Sequence, residues 1–173
     1  ILLTYKKSYI CNFIMYKILI LLIYLINNIC FSFYYEVQTH AKRTIIKTIP
    51  ISETKKYISF ILEGTWTDNL GNYGMMEQSS FVMLDNNDVI ELDGYGKRIY
   101  QNNQETYFRG YRNRQEKDSG VGETKIVNAT VELNSLIGMR CPYAVNFFNN
   151  TAYAFAKCKI TEKQKQILSK ISQ

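Results

Sequence analysis

The 173-residue chain has one histidine, two prolines and one tryptophan, and each scarcity excludes something. With His40 alone, a histidine-rich metal centre is impossible. Any Ser-His-Asp or Cys-His arrangement would have to pass through that one side chain, and no neighbouring sequence supports one. His40 therefore reads as a strand or surface histidine. No HExxH, P-loop or EF-hand pattern occurs. The carboxylate-rich stretch "LDNNDVIELDG", residues 84–94, fits a hairpin turn better than a calcium loop. The expectation is no metal and no cofactor. Two prolines and nine glycines leave little material for a linker, so the chain has room for one domain. The unbroken apolar run at residues 18–26 is far shorter than the roughly 20 residues that span a bilayer as a helix.

That run has another reading. The chain opens on Ile1, and residues 1–14 are taken as an upstream or non-native segment. From Met15 the text is "MYKILILLIYLINNICFS": Lys17 supplies a positive start and residues 18–26 an apolar centre. Cys30 and Ser32 are small residues at the −3 and −1 positions of a cleavage site. This is the layout of a signal peptide over residues 15–32 and predicts an exported protein, periplasmic or secreted. An uncleaved anchor and a buried N-terminal helix are the other readings of the run. Removal of the leader leaves no stable membrane span. It also takes away three lysines and no acids, leaving 18 basic and 15 acidic residues, a net of +3. A nucleic-acid partner would need basic residues clustered on one face. Arg109, Arg112 and Arg114 instead stand among Glu105, Glu116 and Asp118, the pattern of a mixed solvated surface, so no nucleic acid is expected.

Two of the four cysteines, Cys11 and Cys30, fall before residue 33; Cys141 and Cys158 remain. In an exported protein such a pair predicts a disulfide. In "RCPYAVNFFNNTAYAFAKC" a hairpin turning at Asn149-Asn150 pairs 148 with 151, 147 with 152, and so on until Cys141 faces Cys158. Facing Cβ atoms in a ladder lie about 4.5–5.5 Å apart, close to bonding distance. One face of the hairpin then carries Cys141, Tyr143, Val145 and Phe147 opposite Ala152, Ala154, Ala156 and Cys158, large against small. Pro142 lacks an N–H to give, which favours a four-residue loop over residues 148–151.

The same period-two alternation recurs upstream. "YISFILEGTW" sets Ile58, Phe60, Leu62, Gly64 and Trp66 on one face. "FVMLDNNDVIEL" is a second hairpin, with Asn86-Asn87 at its turn. "YYEVQTHAKRTII", "TYFRGYR" and "ETKIVNATVEL" are further strands, and "TEKQKQILSK" alone reads as a helix, capped by Thr161. About eight antiparallel strands with short links predict an all-β, up-and-down barrel over residues 33–160, with a short C-terminal helix over 161–173. A two-sheet sandwich is the alternative.

"LEGTWTDNLGNYG", residues 62–74, resembles the first barrel strand of calycins, the group that includes lipocalins and avidins, through Gly64-Thr65-Trp66. "GTWTDNLG" is particularly similar to the start of avidin-type barrels. "GVGETKIVNATVELNSLIG", residues 120–138, resembles the allene oxide cyclase type, and the chain as a whole resembles small exported bacterial barrels. The resemblance implies ligand contacts for Asp68 and Asn69 beside Trp66. It implies a close backbone approach at Gly64, with Trp66 plugging the floor under an arginine, for which Arg140 is the candidate. The function expected is non-catalytic binding of a small apolar or amphipathic ligand, or a structural module. The alternative is a cofactor-free isomerase or cyclase of the allene oxide cyclase type, which would need Glu63, Asp68 or Glu77 turned inward.

Overall fold

A computed structural model of the chain describes residue 17, residues 33–116 and residues 118–171. The stretches expected to be an upstream segment and a signal peptide, apart from Lys17, lie outside the described residues. Eight strands follow one another: β1 (Phe33–Pro50), β2 (Lys55–Asp68), β3 (Tyr73–Asp85), β4 (Asp88–Tyr100), β5 (Glu105–Glu116), β6 (Ser119–Ala129), β7 (Arg140–Phe148) and β8 (Thr151–Ile160). Each pairs antiparallel with the next, and β1 pairs with β8 from Phe33↔Ile160 to Lys42↔Thr151, so the barrel is closed. Closure leaves no unpaired edge along the barrel wall.

Alternation builds the interior. On β1, Tyr35, Val37, Thr39 and Ala41 are buried while His40 and Lys42 are exposed. On β2, Phe60, Leu62 and Trp66 are buried while Glu63 and Thr65 are exposed. Gly64 sits where β1 and β2 approach closely: a Cβ there would lie 2.0 Å from the His40 carbonyl oxygen. At the β3–β4 turn Asn86 and Asn87 both hold positive φ, 49° and 69°, as a two-residue type I′ hairpin requires.

The β7–β8 register is the one the cysteine spacing predicts, from Phe148↔Thr151 to Tyr143↔Ala156. Just beyond its end, Cys141 and Cys158 form a disulfide with a Cα–Cα distance of 4.4 Å, and both are buried. The loop differs from expectation. It has two residues, with positive φ at Asn149 (53°). Pro142 is accommodated because the ladder to β8 stops at Tyr143, one residue short of it, while β6 pairs with it from the other side.

The links between β2 and β3, β4 and β5, and β6 and β7 gather at one end, which is covered. After Ala129 the chain does not continue as a strand through residues 131–133. Val131–Leu136 forms a 3-10 turn instead, because the three-residue spacing of Leu133 and Leu136 buries both side chains completely. Helix α1 (Glu162–Ile171) docks beside it through Leu168 and Ile171. Its start is a reciprocal cap: the Gln164 amide donates to Thr161 Oγ1 (3.2 Å) and the Thr161 amide donates to Gln164 Oε1 (2.9 Å). No helix among the described residues is long and apolar enough to cross a membrane.

Candidate functional site

The space inside the barrel is the candidate site. Along β8, Ala152, Ala154 and Ala156 face Tyr143, Val145 and Phe147 of β7, and Ala41 and Gly110 add two more small residues to the wall. The large side chains opposite do not fill the room these leave. A cavity of about 70 Å³ remains, with Phe60, Leu62 and Met76 on its far wall and Thr39, Gln78, Thr124 and Tyr143 among its polar positions. A second cavity, of about 90 Å³, lies toward the mouth between Ile58, Val82, Leu84 and Val89. Phe60, Leu92 and Phe147 border both. Each is smaller than the roughly 150 Å³ that holds a benzene-sized molecule.

Three arginines border these spaces, and no acidic residue does. Arg98 lines the inner cavity, and Arg43 and Arg112 line the outer one. Arg98 is 5% exposed, and its guanidinium lies 5.1 Å from the Phe108 ring centroid and 6.0 Å from that of Trp66. Its Nε has no hydrogen-bond partner, and among the described residues no carboxylate forms an ion pair with it. A cation–π contact returns about 0.5–2 kcal/mol, whereas taking a charge out of water costs several. The rings alone leave this cation poorly compensated. Arg43 and Arg112 flank Phe147, 4.6 and 6.0 Å from its centroid, and Arg43 also donates to the Asn149 carbonyl oxygen (3.0 Å). Burial pulls the Arg112 guanidinium below its ordinary pKa, against the opposing influence of Tyr143 and Asp118.

The floor belongs to Trp66. The indole is 1% exposed, meets Tyr100 edge-on at 4.7 Å and donates from Nε1 to the Met75 carbonyl oxygen (3.1 Å). The arginine over it is Arg98 of β4 and not Arg140. Arg140 falls on the outward phase of β7, where it is exposed and pairs with Glu123 at 2.8 Å.

The ligand contacts expected of Asp68 and Asn69 give way to structural ones. The Asp68 carboxylate accepts hydrogen bonds from the amides of Leu70 and Asn72 and from Asn72 Nδ2, at 2.8–2.9 Å. Asn72 is itself buried and reaches across to the Leu168 carbonyl oxygen (3.1 Å), so this loop carries α1. Asn69 pins β1, donating to the Tyr34 carbonyl oxygen and accepting from the Glu36 amide, both at 3.0 Å. The polar run after the tryptophan serves the covered end of the barrel, and neither residue borders either cavity.

The carboxylates named for acid–base work stand elsewhere. Glu63 and Glu77 are exposed, and Glu77 pairs with Lys97 at 3.4 Å. His40 is exposed, edge-on to Tyr153 at 5.1 Å. Among the described residues no cluster of three His, Cys, Asp or Glu is placed to hold a metal ion. Sequence reasoning missed the arginines. Arg112, read as part of a solvated surface, is 3% exposed. The signal was alternation itself: Thr106, Phe108, Gly110 and Arg112 share one phase of β5, as Leu92, Gly94, Arg98 and Tyr100 share one phase of β4. No protein-family model matches the chain, and no curated protein is found to be similar to it.

Proposed function

We propose that the chain is an exported β-barrel that binds a small apolar or amphipathic ligand within its lumen. The observation that carries this reading is the wall of Ala41, Ala152, Ala154, Ala156 and Gly110, which leaves space between well-ordered strands where larger apolar residues would pack it solid. A purely structural barrel gains nothing from that space, because each missing methylene forfeits burial of about 0.8 kcal/mol. Export is supported by the buried Cys141–Cys158 bridge, a bond that persists in oxidising compartments. The cyclase reading has less behind it, since Glu63 and Glu77 face outward and Asp68 is committed to its loop.

Filling the lumen tests the proposal. Ala154→Leu places three more carbons against the inner cavity. The expected outcome is loss of binding for a small apolar probe, such as butanol followed by ligand-observed NMR, with melting temperature kept or raised. Equal binding by the unaltered and filled proteins would place any ligand outside the lumen and end this reading.

A further inference from the structure

We propose that the lumenal ligand is an organic anion, a small carboxylate whose charged head pairs with Arg98 while its apolar body lies toward Phe60, Leu92 and Ala154. This rests on the lumen being the binding site, and adds the chemical class. The argument starts from charge. The residues bordering the two cavities include Arg98, Arg43 and Arg112 and no aspartate, glutamate or lysine. Arg98 is the deepest of the three, over the floor tryptophan, with its Nε unpartnered, its guanidinium against ring faces and the neutral phenols of Tyr35 and Tyr100 within its electrostatic reach. A guanidinium presents a planar fork of donors that matches a carboxylate in two parallel hydrogen bonds. A bound carboxylate would therefore meet a need that the protein leaves unmet.

The surroundings fit the same head group. Thr39 and Thr124 sit on the wall of the inner cavity with hydroxyls that are able to donate to an anion; Thr124 Oγ1 now donates to the Cys141 carbonyl oxygen at a long 3.3 Å. Beyond Gln78 and Tyr143 the remainder of that wall is apolar, and Arg98 is the one cation on it, so a negative charge has no other ionic partner there. The cavity volumes, each below that of a benzene-sized space, restrict the body of the ligand to a short aliphatic chain of about three or four carbons. Arg43 and Arg112 near the mouth bias the same route in favour of negative charge, which speeds capture of an anion and falls off with salt.

The test compares matched probes on the intact, disulfide-bonded protein: propionate against propanol and butyrate against butanol, by titration calorimetry and ligand-observed NMR. Each acid is expected to bind at least about tenfold more tightly than its alcohol, a difference typical of a charge-assisted contact. In Arg98→Met that ratio is expected to fall to about one while the alcohols bind as before. Because Arg98 also covers Trp66, a variant that does not fold is replaced by Arg98→Lys, which keeps the charge and loses the fork and is expected to narrow the ratio. Acids and alcohols binding the unaltered protein equally well, or an acid preference that survives Arg98→Met, overturns the anion inference and leaves lumenal binding intact. Failure of all four probes to bind the unaltered protein removes lumenal binding, and this inference with it.

Discussion

Two glycines of the barrel wall differ sharply in what surrounds them. A methyl group at Gly64 would meet the backbone of β1, at 2.0 Å from the His40 carbonyl oxygen and 2.5 Å from the Ala41 Cα, and backbone in a closed barrel does not yield. At Gly110 the nearest atoms are Gln78 Nε2 at 3.5 Å and, on the paired strand, Thr124 Cγ2 at 3.7 Å, ordinary van der Waals contacts. Gly64→Ala is expected to destabilise the fold by about 1–3 kcal/mol, as overpacking does. Gly110→Ala is expected to stabilise it by about 0.4–1 kcal/mol through the unfolded state, and chemical denaturation of the pair reads both. The buried phenols make a pH prediction. Burial, first among several causes, raises Tyr35 and Tyr100 above the ordinary tyrosine value. A group with a raised folded pKa gives its full stability below the unfolded value near 10 and loses it as pH climbs toward the folded one. Unfolding free energy should therefore fall as pH rises above about 10. Tyr35→Phe and Tyr100→Phe should flatten that slope, followed by denaturation across pH 9–12. Arg98 shows what single-residue reading overlooks. Its phase on β4 points inward, beside Leu92 and Tyr100, yet an arginine invites assignment to solvent until neighbouring strands are in place.

Among the elements, the β7–β8 hairpin was the most legible. Two asparagines at the turn and two cysteines equally distant from it set the register without knowledge of any other strand. Its loop length was not legible, because the difficulty posed by Pro142 is settled by where the ladder to β8 ends. The segment at Val131–Leu136 was misread for a related reason. "IVNATVEL" alternates well enough for a strand, but the end of the barrel offers Leu133 and Leu136 complete burial, and packing outweighs local propensity. Thr161 with Gln164 was readable because a cap is local. The disulfide spans 17 positions, and a loop of that size gives about 3 kcal/mol in the chain-entropy account. Replacing both cysteines by alanine should lower unfolding free energy by about 2–4 kcal/mol, and the reductant sensitivity of the unaltered protein should vanish with it. Thiol labelling of the intact protein before and after reduction supplies the control.

For the whole molecule, alternation and short links carried the all-β class and the strand count, and the closing pair is what turns those strands into a barrel. The covered end was only partly foreseen. Trp66 as the floor followed from resemblance, while the arrangement of Asp68, Asn72 and α1 depends on groups far apart in sequence. The seam has a consequence of its own. Phe33 pairs with Ile160, so the first strand of the barrel waits for the last. Every other strand pair joins neighbours in sequence and forms early; this one forms only when the full barrel sequence is free, and such distant pairing is slow. A chain whose last strand is not yet free is therefore held as an open, curling sheet with the flanks of β1 and β8 unsatisfied. Its vulnerable moment is the interval before the seam closes, when a chaperone or a second copy of the chain competes for those two edges.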